Sequence, residues 1–234
     1  MRATAKWPCR ASCLAALAVL LASGSAAAER GEGREVVVDR IVAVVEGDVG
    51  RSEEARIVTR FELVVEARLA LAERARSVEA ASVEPPQSLL DAVLRTILDE
   101  MLVQREAEIL GAGTVPAAVI AAERRALEGR LGGPGSLERF RQVAGASQDL
   151  IDAIVARRAA VREELARQVA LSGSITEAEL RQALDSPGHP FEGRQLEEVR
   201  DELEAYLVGR REQERLSSWL EELRARTRVR LIDE

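Results

Sequence analysis

The chain has 234 residues, of which 47% are apolar, 31% are charged and only 3% are aromatic. This composition excludes a disordered chain and a multi-span membrane protein, and it favours a helical core of aliphatic side chains in one or two small domains. With 33 basic against 40 acidic residues the net charge is −7, which argues against nucleic acid as a partner because phosphate binding favours a basic surface.

The first 28 residues have the pattern of a cleavable secretory signal. Three basic residues precede an unbroken apolar run from Leu14 to Ala22, and three alanines follow at 26–28. The alternative, an uncleaved anchor, is disfavoured because a bilayer-spanning helix needs about 20 apolar residues. We therefore predict cleavage before Glu29. The mature chain would then carry 30 basic and 40 acidic residues, with no stable membrane insertion.

The mature chain has few residues or motifs of the kinds used in catalysis, metal binding or phosphate binding. Both cysteines, Cys9 and Cys13, lie in the signal, so cysteine nucleophiles and thiolate zinc sites are excluded. The single histidine, His189, lies between glycine and proline and is typical of a turn. The glycine-rich stretch 132–135 does not have the spacing of a phosphate-binding loop. The sequence predicts no catalytic residue, no cofactor and no metal site.

The first elements are a strand, a return strand and a capped helix. The β-branched segment Val36–Val45 predicts a strand, and Ile57-Val58 indicates a short return strand after a loop. Thr59 and Glu62 have the spacing of a capping box, which predicts a helix from Arg60 to about Ala80.

The rest of the chain is predicted to be helical except for its last residues. Proline, glycine and hydroxyl residues mark the boundaries, and a second capping box lies at Thr176 and Glu179. The predicted elements are helices over Ser88–Gly111, Pro116–Leu131, Leu137–Ala144 (capped by Ser136), 148–170 (capped by Ser147), 177–184 and Gln195–Arg226, and a strand over Val229–Ile232.

Two apolar patterns indicate how these elements pack. The stripe of helix 88–111 is broader than one packed face requires, which predicts a central helix with neighbours on more than one side. The stripe of the last helix is interrupted by the polar stretch 209–215, so its two halves should pack on different surroundings. Because a lone strand is not stable in water, the terminal strand is expected to pair with Val36–Val45.

Three segments in this order resemble the SurA-type periplasmic chaperones. They are V-D-R-I-V-A-V-V-E-G in the first strand, L-D-A-V-L-R-T-I-L-D-E-M-L-V-Q-R-E-A-E-I-L-G in the central helix, and W-L-E-E-L-R-A-R-T-R-V-R-L at the end. The resemblance spans residues 36–232, and the segments that carry it follow a predicted export signal. It implies a mainly α fold, a helical chaperone cradle in which a small β element pairs the N- and C-terminal strands.

The resemblance also implies a domain organisation. Residues 1–28 are the signal peptide and 29–234 the SurA-like chaperone core, with 36–171 as its N-terminal helical part and 195–234 as its C-terminal helix and strand. Members of the family carry parvulin prolyl-isomerase domains where this chain has only the short segment 172–194. We therefore do not expect isomerase activity. The loop after Glu46 is longer than the tight turn usual in the family.

The function implied by the resemblance is that of a periplasmic holdase without ATP. Its partners would be unfolded polypeptides, above all outer-membrane β-barrel precursors. The alternatives are a dedicated adaptor or assembly protein for one partner, which would use the same apolar surface, and, with less support, a prolyl isomerase. The candidate polypeptide-binding residues are Leu98, Met101, Leu102 and Trp219, although Trp219 also suits a core position.

Overall fold

The computed structural model describes residues 39–46, 55–111 and 113–232 of the chain. Helices hold 70% of these residues, and three short strands form one antiparallel sheet. The predicted mainly α class is therefore confirmed. The predicted signal peptide and most of the loop after Glu46 lie outside the described residues.

The sheet joins the beginning and the end of the described chain. Its strands, in the order β2-β1-β3, are β1 (Ile41–Val45), β2 (Arg56–Thr59) and β3 (Val229–Leu231). Both neighbours run antiparallel to β1, and Val45 lies opposite Arg56 on one side and Val229 on the other. The Ile232 N–H extends the second pairing by donating to the Val42 carbonyl at 3.0 Å. The predicted pairing of the terminal strands is confirmed.

The first strand begins later than the predicted start at Val36. Residues 36–38 lie outside the described residues, and Asp39 and Arg40 are not in strand conformation. Asp39 Oδ1 accepts hydrogen bonds from the backbone N–H groups of Arg40 at 2.8 Å and Phe61 at 3.1 Å. Local bonds of this kind give the backbone an alternative to a sheet ladder, which explains why β1 begins at Ile41.

Seven α-helices and one short 3-10 helix lie between β2 and β3 in the described residues. Their bounds are α1 (Arg60–Ala75), the 3-10 helix (Val78–Ser82), α2 (Gln87–Ile109), α3 (Ala117–Arg130), α4 (Ser136–Ala144), α5 (Gln148–Ala170), α6 (Glu177–Leu184) and α7 (Leu196–Arg226).

The predicted end of the first helix is wrong by about one turn. α1 ends at Ala75, and Arg76 adopts the left-handed conformation with φ 52°. Ser77 then donates its N–H to the Ala72 carbonyl at 3.1 Å, as in a helix-terminating motif. A non-glycine residue in this conformation carries a penalty of roughly 1–2 kcal/mol. Burial of Val78, the first residue of the following 3-10 helix, in the core offsets this penalty.

The helix caps agree in part with the prediction. Thr176 and Glu179 form a complete capping box, and Ser147 caps α5. Thr59 accepts the Glu62 N–H at 3.2 Å, but the Glu62 carboxylate bonds to Arg157 and does not reach back to the cap.

The prediction that Ser136 caps α4 is wrong. Gly135 is the cap residue, with φ 74°, and Ser136 is the first residue of the helix. Ser136 is fully buried, and its hydroxyl donates to the Glu128 carbonyl at 3.0 Å. The hydroxyl thus satisfies a buried acceptor near the end of α3 and is not available to cap its own helix.

The core consists of three clusters. The first is formed by α1, the 3-10 helix, α3, α4 and the first half of α5, around the fully buried Phe140. The second joins the sheet to α1, α2 and the end of α7, with Ile97 at its centre. The third is small and joins α6 to the first half of α7 through Leu180 and Leu203. α2 contacts α1, α5 and α7, and the two halves of α7 pack on different clusters, as predicted.

Arg157 on α5 connects three helices inside this core. Its Nη1 donates to Glu62 at 3.0 Å, its Nε donates to Glu100 at 2.9 Å, and its Nη2 pairs with Glu66. Glu62 and Glu66 belong to α1 and Glu100 to α2. The Arg157 and Glu66 side chains are almost completely buried. One guanidinium therefore bonds to three carboxylates and links α1, α2 and α5.

The cluster has three carboxylates and only one guanidinium. This imbalance affects the pKa values of Arg157 and Glu66. Burial alone would lower the pKa of Arg157, but Glu66 and Glu100 raise it above its ordinary value. Burial raises the pKa of Glu66, and the attraction of Arg157 opposes this effect without cancelling it. Arg157 therefore stays charged, while burial favours the protonated form of Glu66.

We predict that Arg157→Met destabilises the protein by about 3–5 kcal/mol near pH 7, because it leaves three carboxylates at this site without their cation. Urea denaturation followed by far-UV circular dichroism measures the effect. Arg181→Met, which removes the exposed Arg181–Glu177 pair, is the matched control and should change stability by less than about 0.5 kcal/mol. Equal losses in the two variants would contradict the role assigned to Arg157.

The Glu66→Gln variant tests the pH dependence of the same cluster. Because the folded pKa of Glu66 is raised, the stabilisation from its proton is present below the unfolded pKa and is lost as the pH rises through the folded pKa. Glutamine is neutral at every pH considered, so the variant does not lose this stabilisation as the pH rises. We expect Glu66→Gln to match or exceed the wild type in free energy of unfolding near pH 7 and to lose this advantage near pH 4. A large destabilisation near pH 7 would contradict this.

Deleting residues 229–234 tests the pairing of the sheet. The deletion removes β3 from β1 and the Val229 side chain from the second cluster. We expect the melting temperature to fall by several degrees, because each kcal/mol lost shifts the midpoint by roughly 2–4 °C in a domain of this size. An unchanged thermal melting curve would contradict the contribution of β3 to stability.

Candidate polypeptide-binding surface

Large apolar side chains are exposed around the small sheet. Five of them, each between 42% and 56% exposed, lie on or next to its strands, and we call them the sheet patch: Ile41, Ile57, Phe61, Leu231 and Ile232. Ile57 lies opposite Val44, whereas Leu231 lies opposite Ala43. Since successive strand residues point to opposite faces, the patch presents apolar groups on both faces of the sheet.

A wide groove lies beside this patch. Its volume is about 1230 Å³, which exceeds the roughly 300–1,000 Å³ typical of small-molecule pockets. We call it the strand groove, and its lining residues are Asp39, Arg40, Ile41, Val42, Arg60, Gln87 and Ile232. Apolar groups from β1 and from the residue after β3 therefore line this groove.

Asp39 fixes the local structure at the rim of this groove. Burial would raise its pKa, but hydrogen bonds from the Thr59 hydroxyl and from the N–H groups of Arg40 and Phe61 hold that pKa below its usual range. The carboxylate therefore stays ionised. It also ties the residues before β1 to the first turn of α1, which places Ile41 and Phe61 near each other.

A second concavity lies between α2 and the end of α7. Its volume is about 490 Å³, and we call it the Leu98 pocket. Its lining residues are Arg95, Leu98, Asp99, Leu102, Arg224, Thr227 and Val229. Leu98, Leu102 and Val229 supply apolar walls that belong to or pack against the second core cluster.

Two ionic side chains at this pocket neutralise each other. Arg224 Nε donates to Asp99 Oδ1 at 2.8 Å, and Arg224 Nη2 donates to Asp99 Oδ2 at 2.6 Å. This two-pronged geometry is the strong form of an arginine–carboxylate pair. It raises the pKa of Arg224, chiefly through the hydrogen bond to Asp99, and it links α7 to α2.

The four candidate residues from the sequence fall in different places. Leu98 is half-buried and Leu102 is 3% exposed, and both line the Leu98 pocket. Met101 is 6% exposed and belongs to the second core cluster. Trp219 is half-buried and packs against the same cluster. The structure therefore brings Leu98 and Leu102 together at a pocket, whereas Met101 and Trp219 contribute to packing.

The sequence reasoning missed the sheet patch. Ile57, Leu231 and Ile232 lie in segments that were predicted as strands, and their short length is the signal that could have identified them. Two edge strands of four and three residues bury too little apolar surface to cover every large side chain they carry. Phe61 lies inside the capping-box motif, and the prediction of a helix start there depended on Thr59 and Glu62 alone.

His189 occupies a different part of the protein, in the loop between α6 and α7. Its Nδ1 accepts the Phe191 N–H at 3.1 Å, and its Nε2 lies 3.3 Å from the Leu184 carbonyl. Both ring nitrogens thus have partners in the loop or at the end of α6, and the imidazole lines a cavity of about 380 Å³ next to Tyr206. This geometry supports a structural role in the loop.

No group of three His, Cys, Asp or Glu side chains in the described part of the chain is arranged to hold a metal ion. None of its helices combines the length and apolarity needed to cross a membrane.

No protein-family model matches the chain, and no curated protein matches it.

Proposed function

We propose that the protein is an ATP-independent holdase that binds unfolded exported polypeptides, with outer-membrane β-barrel precursors as its main clients. The observation that carries the proposal is the sheet patch, whose five exposed apolar side chains lie on or next to one small sheet and of which Ile41 and Ile232 line the strand groove. Clustered apolar exposure on a folded protein is typical of an interaction surface.

The sheet patch suits an extended client better than a folded one. A client segment in extended conformation presents side chains to both sides with a period of two residues. The sheet patch offers apolar groups on both faces of a narrow sheet, and β2 and β3 lie at its edges. An added strand can bond to such an edge through its backbone, which gives binding without sequence specificity.

The energetics favour reversible binding. Burial of apolar surface contributes roughly 25 cal/mol per Å², and the short edge strands limit the number of backbone bonds to a client. Each contact is therefore weak, and release needs no nucleotide hydrolysis. The net charge of −7 keeps the loaded complex soluble by repulsion between complexes. The proposed activity is binding alone and involves no chemical step.

The resemblance to SurA-type chaperones and the leader at residues 1–28 support the same proposal. They favour a periplasmic location for the protein and its clients, where holding without ATP is required. The paired terminal strands agree with the arrangement that the resemblance implies. The segment 172–194, which stands where members of that family carry a parvulin domain, contains α6 and the loop with His189.

The experiment is suppression of aggregation. An unfolded outer-membrane β-barrel is diluted from urea without ATP, and light scattering is followed with and without the purified protein. We expect suppression near stoichiometric ratios with two unrelated barrels. Suppression with only one of the two would contradict general holding and favour the dedicated adaptor, and no suppression with either would contradict the proposal.

Two double variants test whether the sheet patch is responsible for the suppression of aggregation. Ile57→Thr with Leu231→Thr removes two exposed apolar side chains and keeps strand-compatible residues. We expect the concentration for half-maximal suppression to rise several-fold. The control, Val83→Thr with Leu171→Thr, changes two equally exposed apolar residues outside the sheet patch, at 59% and 61% exposure. An equal effect of the control would contradict a role specific to the sheet patch.

A further inference from the structure

Arg95 is a cation without an ionic partner in the part of the chain that the structure describes, and its neighbours on α2 explain why. Asp91 and Asp99 lie four residues before and after it, the positions from which carboxylates ordinarily pair with a helical arginine. The Asp91 carboxylate accepts a hydrogen bond from Gln87 at 2.7 Å. Asp99 is held by both nitrogens of Arg224. Arg95 therefore lines the Leu98 pocket outside any ion pair of the described residues, while the negative charge of Asp91, which a neutral amide does not cancel, lies one helical turn away.

The rest of this pocket is apolar or neutral overall. Leu98, Leu102 and Val229 form its walls, and the Asp99–Arg224 pair adds no net charge. In a protein of net charge −7, a single positive group beside an apolar cavity selects a ligand that combines an apolar group with an anion.

We propose that the Leu98 pocket binds the free C-terminal residue of an unfolded polypeptide, with an apolar side chain against Leu98 and Leu102 and its terminal carboxylate on Arg95. This inference rests on the proposed function and specifies which part of a client the pocket takes. A residue inside a chain carries its apolar side chain between neutral amides. Only the C-terminal residue joins an apolar side chain and a carboxylate at one Cα.

The charge distribution also fixes the orientation of the ligand. α7 ends at Arg226, so its last carbonyl groups give the Thr227 side of the pocket partial negative charge. A carboxylate is disfavoured there and favoured beside Arg95. The apolar side chain then points towards Leu102 and Val229. The pocket volume of about 490 Å³ lies within the range typical of a small ligand.

The size of the expected selectivity follows from the exposure of Arg95. An ion pair at an exposed arginine contributes little, so the apolar side chain supplies most of the affinity and the carboxylate a preference of about three- to fivefold at low salt. The preference should decrease as salt is added, because exposed charges are screened.

The test uses two fluorescently labelled hexapeptides that end in leucine, one with a free carboxylate and one with a C-terminal amide. Their affinities for the purified full-length protein are measured by fluorescence anisotropy at low salt. We expect the free acid to bind about three- to fivefold more tightly than the amide. Arg95→Gln should lower the affinity for the acid to that for the amide. Arg125→Gln, the same change at an exposed arginine on α3, should keep the preference.

Two results would overturn the inference: equal binding of acid and amide by the wild type, or an unchanged preference in Arg95→Gln. A third peptide, ending in serine with a free carboxylate, should bind more weakly than the leucine acid, and equal binding would contradict the apolar part of the site. The light-scattering experiment separates this inference from the proposed function. If the pocket assignment alone is wrong, the wild type still suppresses aggregation while the peptides show no preference.

Discussion

The placement of Arg157 is the constraint on which the rest of this structure depends. A guanidinium has five N–H donors in a planar fork, and Arg157 uses its three nitrogens on carboxylates from α1 and α2. The first core cluster takes buried side chains from α1 and α5, and the second takes them from α1 and α2. The network therefore sets the relative positions of the three helices from which these two clusters are built. Leaving any of these charges buried without a partner would be strongly unfavourable.

The proposed function depends on what this arrangement leaves uncovered. α1 and α2 are fixed by the network, and the sheet packs on them through the second cluster. The three short strands pack against α1 and α2, but no other element of the described residues covers all of their remaining apolar side chains. Ile57 and Leu231 therefore remain exposed. With only 3% aromatic residues, the chain has few large side chains to close such gaps. The same scarcity that favours a helical aliphatic core thus leaves exposed the apolar surface that the proposed function uses.

Local features of the fold could be predicted from the sequence, whereas its long-range ion pairs could not. The Thr176 capping box, the Ser147 cap and the stop at Gly111, which has φ 74°, depend on residues a few positions apart. Arg157 lies 57 to 95 residues from its three partners, and no spacing rule connects them. The end of α1 at Arg76 was missed because no glycine marks it. The broad stripe of α2 predicted an apolar face, but only packing separates buried Met101 from half-buried Leu98.

Site-specific photo-crosslinking tests the proposal that unfolded chains are held at the sheet patch. A photoreactive amino acid is placed at Ile57 in one variant and at Leu171 in another, since both side chains are exposed and apolar but only Ile57 belongs to the sheet patch. Each variant is irradiated with an unfolded outer-membrane β-barrel. The account predicts client adducts at position 57 in clear excess over position 171. Equal labelling of the two positions, or an excess at 171, would contradict it.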